Sequence, residues 1–413
     1  MSADRLTASF TVLLFWVLAA SAQTTTIPQS PPKICVNNVC RSASNPNSSG
    51  GSGVKWHPGH YVLSNQLVRA GNNQWANRKV EIDNSLSQAN ILGFMDIHMW
   101  NSIETGQSAY NWANIDQARS YIATNYPGKR YAVMIWSEDF STANPAYSVP
   151  GYILSNSNYG PGYNGNQYGY GYWQMSDTSV TAAIWRPAVA ARITALFQAL
   201  ATHASPYSSG FTYDTDPYFE AVTYQETSMS LAGGSDASEA SIATQWTAIT
   251  TAIINSFPHT NVLDQNNYLT ASSQAQTAAV GLADMAAGAA ASSPDITSNF
   301  TWGQLGYLGA ANGGTSGFTS QFRAAPYIAL VEVPDYTQTS LSQITQAALN
   351  QPSASPTGLG ASEVFWNIES TGSGQPGDWQ TQVLPNINSH PIPGANQSCP
   401  SNYTRMRGGC NTN

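Results

Sequence analysis

Charge is what this 413-residue chain has least of: Asp, Glu, Lys and Arg together make up 9% of it, against about 25% in ordinary soluble proteins. The 15 basic residues are outnumbered by 23 acidic ones, for a formal charge of −8. No Lys/Arg cluster occurs, so the chain cannot neutralise a phosphate backbone, and nucleic-acid binding is excluded. Long apolar runs are missing too. The longest, residues 10–20, is about half of the roughly 20 residues that a membrane span needs. No glycine-rich phosphate loop precedes a helix, and no Gly-x-Ser-x-Gly elbow is present, which argues against nucleotide cofactors and α/β-hydrolase esterases. In place of charge stand Ser, Thr, Asn, Gln, Gly and Ala, with 12 Trp and 21 Tyr. At 42% hydrophobic and 11% aromatic the chain has ample material for a packed core, and global disorder is excluded.

The N-terminus reads as an export signal. Arg5 precedes the apolar stretch, and Ser21-Ala22 before Gln23 forms a small-residue cleavage site, so residues 1–22 are expected to be removed and the protein secreted. Four cysteines suit an oxidising compartment: Cys35 and Cys40 near the start, Cys399 and Cys410 near the end. They allow three connectivities, among which sequence does not choose, and their spacings do not fit a zinc site. Residues 23–55 are rich in Pro, Ser, Thr, Asn and Gly and read as a linker; residues 391–413 read as a disulfide-stapled tail.

Between them, residues 56–390 alternate short apolar runs with helical patterns. Strands are expected at Tyr61–Leu63, Ile91–Met99, Tyr131–Trp136, Phe219–Tyr224, Asn261–Asp264, weakly at Phe300–Leu308, then at Tyr327–Val333 and Val364–Ile368. Trp112, Ile115, Ala118 and Ile122 form one helical stripe; Ile242, Trp246, Ile249 and Ile253 form another. Such alternation calls for a parallel sheet with helices outside. The expected fold class is α/β, a single (β/α)8 barrel, with a doubly wound open sheet as the alternative. The third strand is followed by a long Tyr-rich loop from Ser141 to about Thr178, whose aromatic faces and amides suit sugar rings and hydroxyls.

Catalytic groups of such barrels sit at the C-terminal ends of strands. The acids found there are Asp96 and Glu104, Glu138 and Asp139, Glu226, Glu332 and Asp335, and Glu369. Glu226 and Glu332 stand out because each interrupts an apolar strand near its end, three strand–helix units apart. Two carboxyls across a barrel mouth are what glycoside hydrolysis requires, one protonated and one ionised. Glu220 and Glu363 enter their strands from the opposite end and are set aside.

At these positions the chain resembles the clan A glycoside hydrolases, retaining enzymes on a (β/α)8 barrel. The segment Trp100-Asn-Ser-Ile-Glu104, with Gly106, Tyr110, Trp112 and Asp116, is similar to that clan's segment after strand two. The resemblance makes Glu226 the acid/base on strand four, Glu332 the nucleophile on strand seven and Trp366 the aromatic floor of the first sugar subsite. Gln225 stands where the clan has Asn, whose amide contacts the sugar 2-hydroxyl. The same reading places Tyr224, Trp136, His98 and Asn266 along the cleft, with Trp100 and Trp173 as further stacking surfaces and Glu369 in reserve for Glu332.

The expected function is therefore hydrolysis of an extracellular β-linked polysaccharide or oligosaccharide with retention, endo-acting given the Tyr-rich loop, and with no metal or organic cofactor. Two alternatives come from other classes. A non-catalytic carbohydrate-binding protein would keep the aromatics without the carboxylate geometry. A metal-dependent polysaccharide deacetylase would draw ligands from His57, His60, Asp96 and His98.

Overall fold

A computed structural model describes residues 33–36, 39–42, 53–72, 74–267, 269, 274–293, 327–331, 341–350, 360–368 and 378–412. The expected leader, residues 1–22, lies outside them. The chain forms two units, Met1–Gly50 and Gly51–Asn413. The first contains an antiparallel hairpin, β1 (Lys33–Val36) and β2 (Val39–Ser42), in which Cys35 and Cys40 are register partners.

In the second unit eight parallel strands close into a barrel: β4 (Gly59–Leu63), β5 (Ile91–Met99), β8 (Arg130–Trp136), β12 (Phe219–Tyr224), β13 (Asn261–Gln265), β14 (Ala290–Ser293), β15 (Tyr327–Val331) and β16 (Glu363–Asn367). Closure comes from β16 pairing back onto β4, with Val364 opposite His60 and Phe365 opposite Tyr61. The remaining strands lie in the connections: β3 (Val54–Lys55), β6 (Glu104–Gly106), β7 (Ala109–Tyr110), β9 (Glu138–Asp139), β10 (Tyr172–Gln174), β11 (Val180–Ala182) and β17 (Cys410–Asn411). Among the described residues no helix is long and apolar enough to cross a membrane.

The sixth strand corrects the sequence reading. It is Ala290-Ala-Ser-Ser293, upstream of the run at 300–308, which lies outside the described residues. Its residues are only Ala and Ser, so the strand carries no bulky apolar run by which to be found. The two helical stripes are correctly placed. Helix α1 (Trp75–Leu86) and α2 (Trp100–Ile103) precede α3 (Ala113–Asn125), which buries Ile115, Ala118 and Ile122. After α4 (Gly151–Leu154), α5 (Tyr163–Asn166) and α6 (Pro187–Thr202) comes α7 (Glu239–Ser256), which buries Ile242, Trp246, Ile249 and Ile253. A capping box of Ser238 and Ser241 starts α7 and satisfies amides that the first turn leaves without partners.

Strands covered on both faces make two separate cores. Inside the barrel Tyr61, Leu63, Met95, Ile97, Ala132, Met134, Ala221, Leu263, Ala290 and Phe365 pack together. Outside it, Val62, Phe94, Val133, Val222, Val364 and Trp366 meet the helices. The barrel floor, at the N-terminal ends of the strands, is polar. Arg130 Nη1 lies 2.7 Å from Glu220 Oε2 and His57 Nδ1 2.9 Å from it; burial raises the Glu220 carboxyl, but Arg130 and His57 outweigh it and hold it down at about 2. Nearby Glu363 accepts from Asn261 Nδ2 at 3.0 Å, and burial together with the Glu220 charge pushes it well above the ordinary carboxylate range. The C-terminal tail closes this end: β17 pairs with β3, Cys399 bonds to Cys410, and Tyr403 meets Trp56 edge-on at 5.8 Å.

Candidate active site

The mouth of the barrel is built where β8 and β12 end. Beyond Trp136 the chain turns through Ser137 into β9, which pairs with β11 so that Glu138 faces Thr181. The hairpin β10–β11 thus docks the Tyr-rich segment onto the end of the third barrel strand. That segment is more structured than a long irregular loop: it holds α4, α5 and two short 3-10 turns.

At the end of β12, Gln225 is fully buried and both ends of its amide are occupied. Its Oε1 accepts from Ser137 N at 2.7 Å and from Ser137 Oγ at 2.8 Å; its Nε2 donates to Glu138 Oε2 at 3.2 Å and to Thr181 Oγ1 at 3.4 Å. The expectation that Gln225 contacts a sugar is corrected on this ground: the extra methylene carries the amide into the wall of the barrel. The next residue, Glu226, is 9% exposed, and its Oε2 accepts from Asn267 Nδ2 at 2.7 Å. Behind it Glu138 is wholly buried; burial first, then the charges of Glu226 and Asp177, push its carboxyl well above the ordinary range.

Several expected binding residues turn away from the mouth. Trp366 has 0% exposure and packs with the helices, its indole N–H donating to His60 Nδ1 at 3.0 Å, so it cannot form a sugar floor. Along β5, Met95 and Ile97 point inward, which sends Asp96 and His98 outward. There Asp96 lies 3.0 Å from His98 Nε2 and 3.4 Å from Arg78 Nη1 of α1. Tyr224 is outward as well, against Phe197 and Trp246. Asn266 donates Nδ2 to the Thr277 carbonyl at 2.9 Å. The segment that carries the clan-like spacing is a brace: Trp100 is fully buried and donates to Glu104 Oε2 at 2.8 Å, while Ser108 N and Arg192 hold Glu104 Oε1. Trp173 leaves 7% exposed because its ring meets Tyr163 and its N–H the Ala232 carbonyl at 3.0 Å.

Trp136 is the one expected aromatic that stays partly exposed at the mouth. It meets Phe140, itself 42% exposed, edge-on at 5.8 Å. Phe140 and Asn267 were missed by the sequence reading. The Asn266-Asn267 pair at the end of an apolar strand was the available signal for Asn267; Phe140 had none. Glu332, Glu369 and Asp335 lie outside the described residues, although Glu332 directly follows β15. His57 and His60 do not converge: one binds Glu220 on the floor, the other Trp366 and the His390 carbonyl in the helix layer. Among the described residues no group of three His, Cys, Asp or Glu could hold a metal.

The class that fold and site define is a parallel α/β barrel with carboxyl groups gathered where its fourth strand ends. No family model matches the chain and no curated protein does. Among solved structures it is similar to endo-glycoceramidase II from Rhodococcus sp., at 13% identity over 82% of this chain and 81% of that one, with a TM-score of 0.48. It is also similar to the endo-beta-1,4-mannanase from Thermotoga petrophila (9% identity, 82% and 77% covered, TM-score 0.47) and the endo-1,4-beta-mannanase from Rhizomucor miehei (11%, 88% and 97%, TM-score 0.42). Likeness at this level assigns the chain no family, activity or substrate.

Proposed function

We propose that this protein is a secreted glycoside hydrolase that cleaves a β-linked polysaccharide internally, with net retention of anomeric configuration. Glu226 protonates the glycosidic oxygen and then serves as base for the incoming water; Glu332 attacks the anomeric carbon and forms the glycosyl-enzyme intermediate. The observation that carries this reading is Glu226 itself. It is a nearly buried carboxyl at the C-terminal mouth of a parallel barrel, oriented by Asn267, where barrel enzymes hold their chemistry. Trp136 and Phe140 offer an aromatic surface where the neighbouring strand β8 ends.

The test is hydrolysis of a panel of β-glucan, β-mannan and β-xylan, with the anomer of the first product followed by proton NMR. Retention is expected, and Glu226→Gln and Glu332→Gln should each lower kcat by roughly 10^2- to 10^4-fold with glycan binding intact. An inverted product would remove Glu332 as nucleophile. Activity untouched by Glu226→Gln would remove the mechanism, and activity lost to a chelator would favour the deacetylase.

A further inference from the structure

Glu138 has no part in the double displacement, yet its carboxyl is wholly buried at the mouth, beside Glu226. Its Oε2 accepts from the Gln225 amide at 3.2 Å, while Oε1 is buried and has no hydrogen-bond partner among the described residues. Its surroundings join three pieces of chain. Ser137 and Glu138 end the third barrel strand, Thr181 belongs to the docked hairpin, and Tyr224 and Gln225 end the strand that carries Glu226. Their side chains form one network, in which the Ser137 and Tyr224 hydroxyls also bond to each other.

We propose that Glu138 is a positioning residue of the active site that fixes Gln225 and through it the turn holding Glu226. This rests on the glycosidase reading and deepens it. The charged groups that face Glu138 are Glu226 from the strand end and Asp177 from the hairpin, with the Tyr224 phenol alongside; adjacent Asp139 takes the nearby cation, Arg69, at 3.0 Å. No cation among the described residues compensates Glu138, so an ionised form would be a buried charge beside another carboxylate, with no partner to offset its desolvation. A simple structural filler would not need an acid here. A neutral acid supplies an acceptor to Gln225 at working pH and, once ionised, sets a second negative charge against Glu226.

Burial and the two neighbouring carboxylates raise the Glu138 carboxyl, so its contribution to stability is complete below the unfolded value and is lost as pH rises through the folded one. Glu138→Gln preserves the shape and removes the ionisation; Glu138→Ala removes both. Glu138→Ala should lower kcat on the order of 10- to 100-fold with a smaller change in KM. Glu138→Gln should recover most of that loss and extend the alkaline limb of the kcat/KM profile. Infrared difference spectra at neutral pH supply a readout independent of turnover: the parent-minus-variant spectrum should carry a protonated-carboxyl band that Glu138→Gln has lost, over and above the absorption of other raised carboxyls such as Glu363. A parent without that band overturns the proposal whether or not the protein cleaves glycans. So does Glu138→Gln as impaired as Glu138→Ala with an unshifted profile, or Glu138→Ala as active as the parent. A protein that keeps the band but hydrolyses no glycan instead overturns the glycosidase reading alone.

Discussion

At the scale of single residues, partner geometry decides what a side chain can do. His60 accepts the Trp366 N–H at Nδ1, so its own proton sits on Nε2 and is donated to the His390 carbonyl at 2.8 Å. Burial pushes this imidazole down to about 4, against a partial return from the His390 bond. A depressed base contributes stability that is complete above its unfolded value of 6.5 and disappears as pH falls through 4. Protonation would also leave the Trp366 indole without an acceptor inside the core. Glu81, pushed up to about 7 by burial, works in the opposite direction over part of that range, so the useful comparison is with a variant. His60→Gln should show a flatter dependence of Tm on pH between 6.5 and 4 than the parent; identical slopes would mean that His60 is not the titrating group.

At the scale of elements, the Tyr-rich segment is the feature that sequence described least well. Its composition identified a long connection after the third strand but not the hairpin within it. The segment holds its shape through backbone contacts that require particular glycines. Gly169 has φ +110°, and a Cβ there would lie 2.0 Å from the Leu154 carbonyl oxygen. Gly169→Ala should therefore dislodge the segment, at a cost of about 1–3 kcal/mol, without unfolding the barrel. Limited proteolysis checks this: cleavage within residues 150–170 should quicken while the far-ultraviolet circular dichroism stays native. Unchanged protection would show that the segment tolerates the strain.

On the scale of the whole molecule, the barrel is closed below by its own C-terminus. Tyr403 and Trp56 cover the inner core, Arg407 donates to the Gly288 and Thr260 carbonyls at 3.0 Å each, and the disulfide pins Cys410 beside β3. A crosslink over an 11-residue separation is worth about 3 kcal/mol through the entropy of the unfolded chain. Replacing Cys399 and Cys410 by Ala should lower Tm accordingly. It should also red-shift tryptophan emission as Trp56 becomes wet, while hydrolysis at the opposite end of the barrel persists at room temperature. An unaltered Tm would make the staple dispensable.

Sequence by itself determined the α/β class, the order of most strands, both helical stripes and the placing of Glu226 at a strand end, because these follow from local periodicity and from the cost of a carboxylate in an apolar run. It also separated Glu220 and Glu363 from the mouth, by their position at the entry of their strands. Only the tertiary structure decided which way the side chains face. A period of two dictates alternation but leaves its phase open, and a shift of one residue exchanges the two faces. Here the phase sends His98, Tyr224 and Trp366 into the helix layer, and the turn after β12 gathers Gln225, Glu138 and Asn267 around Glu226 from strands far apart in the chain.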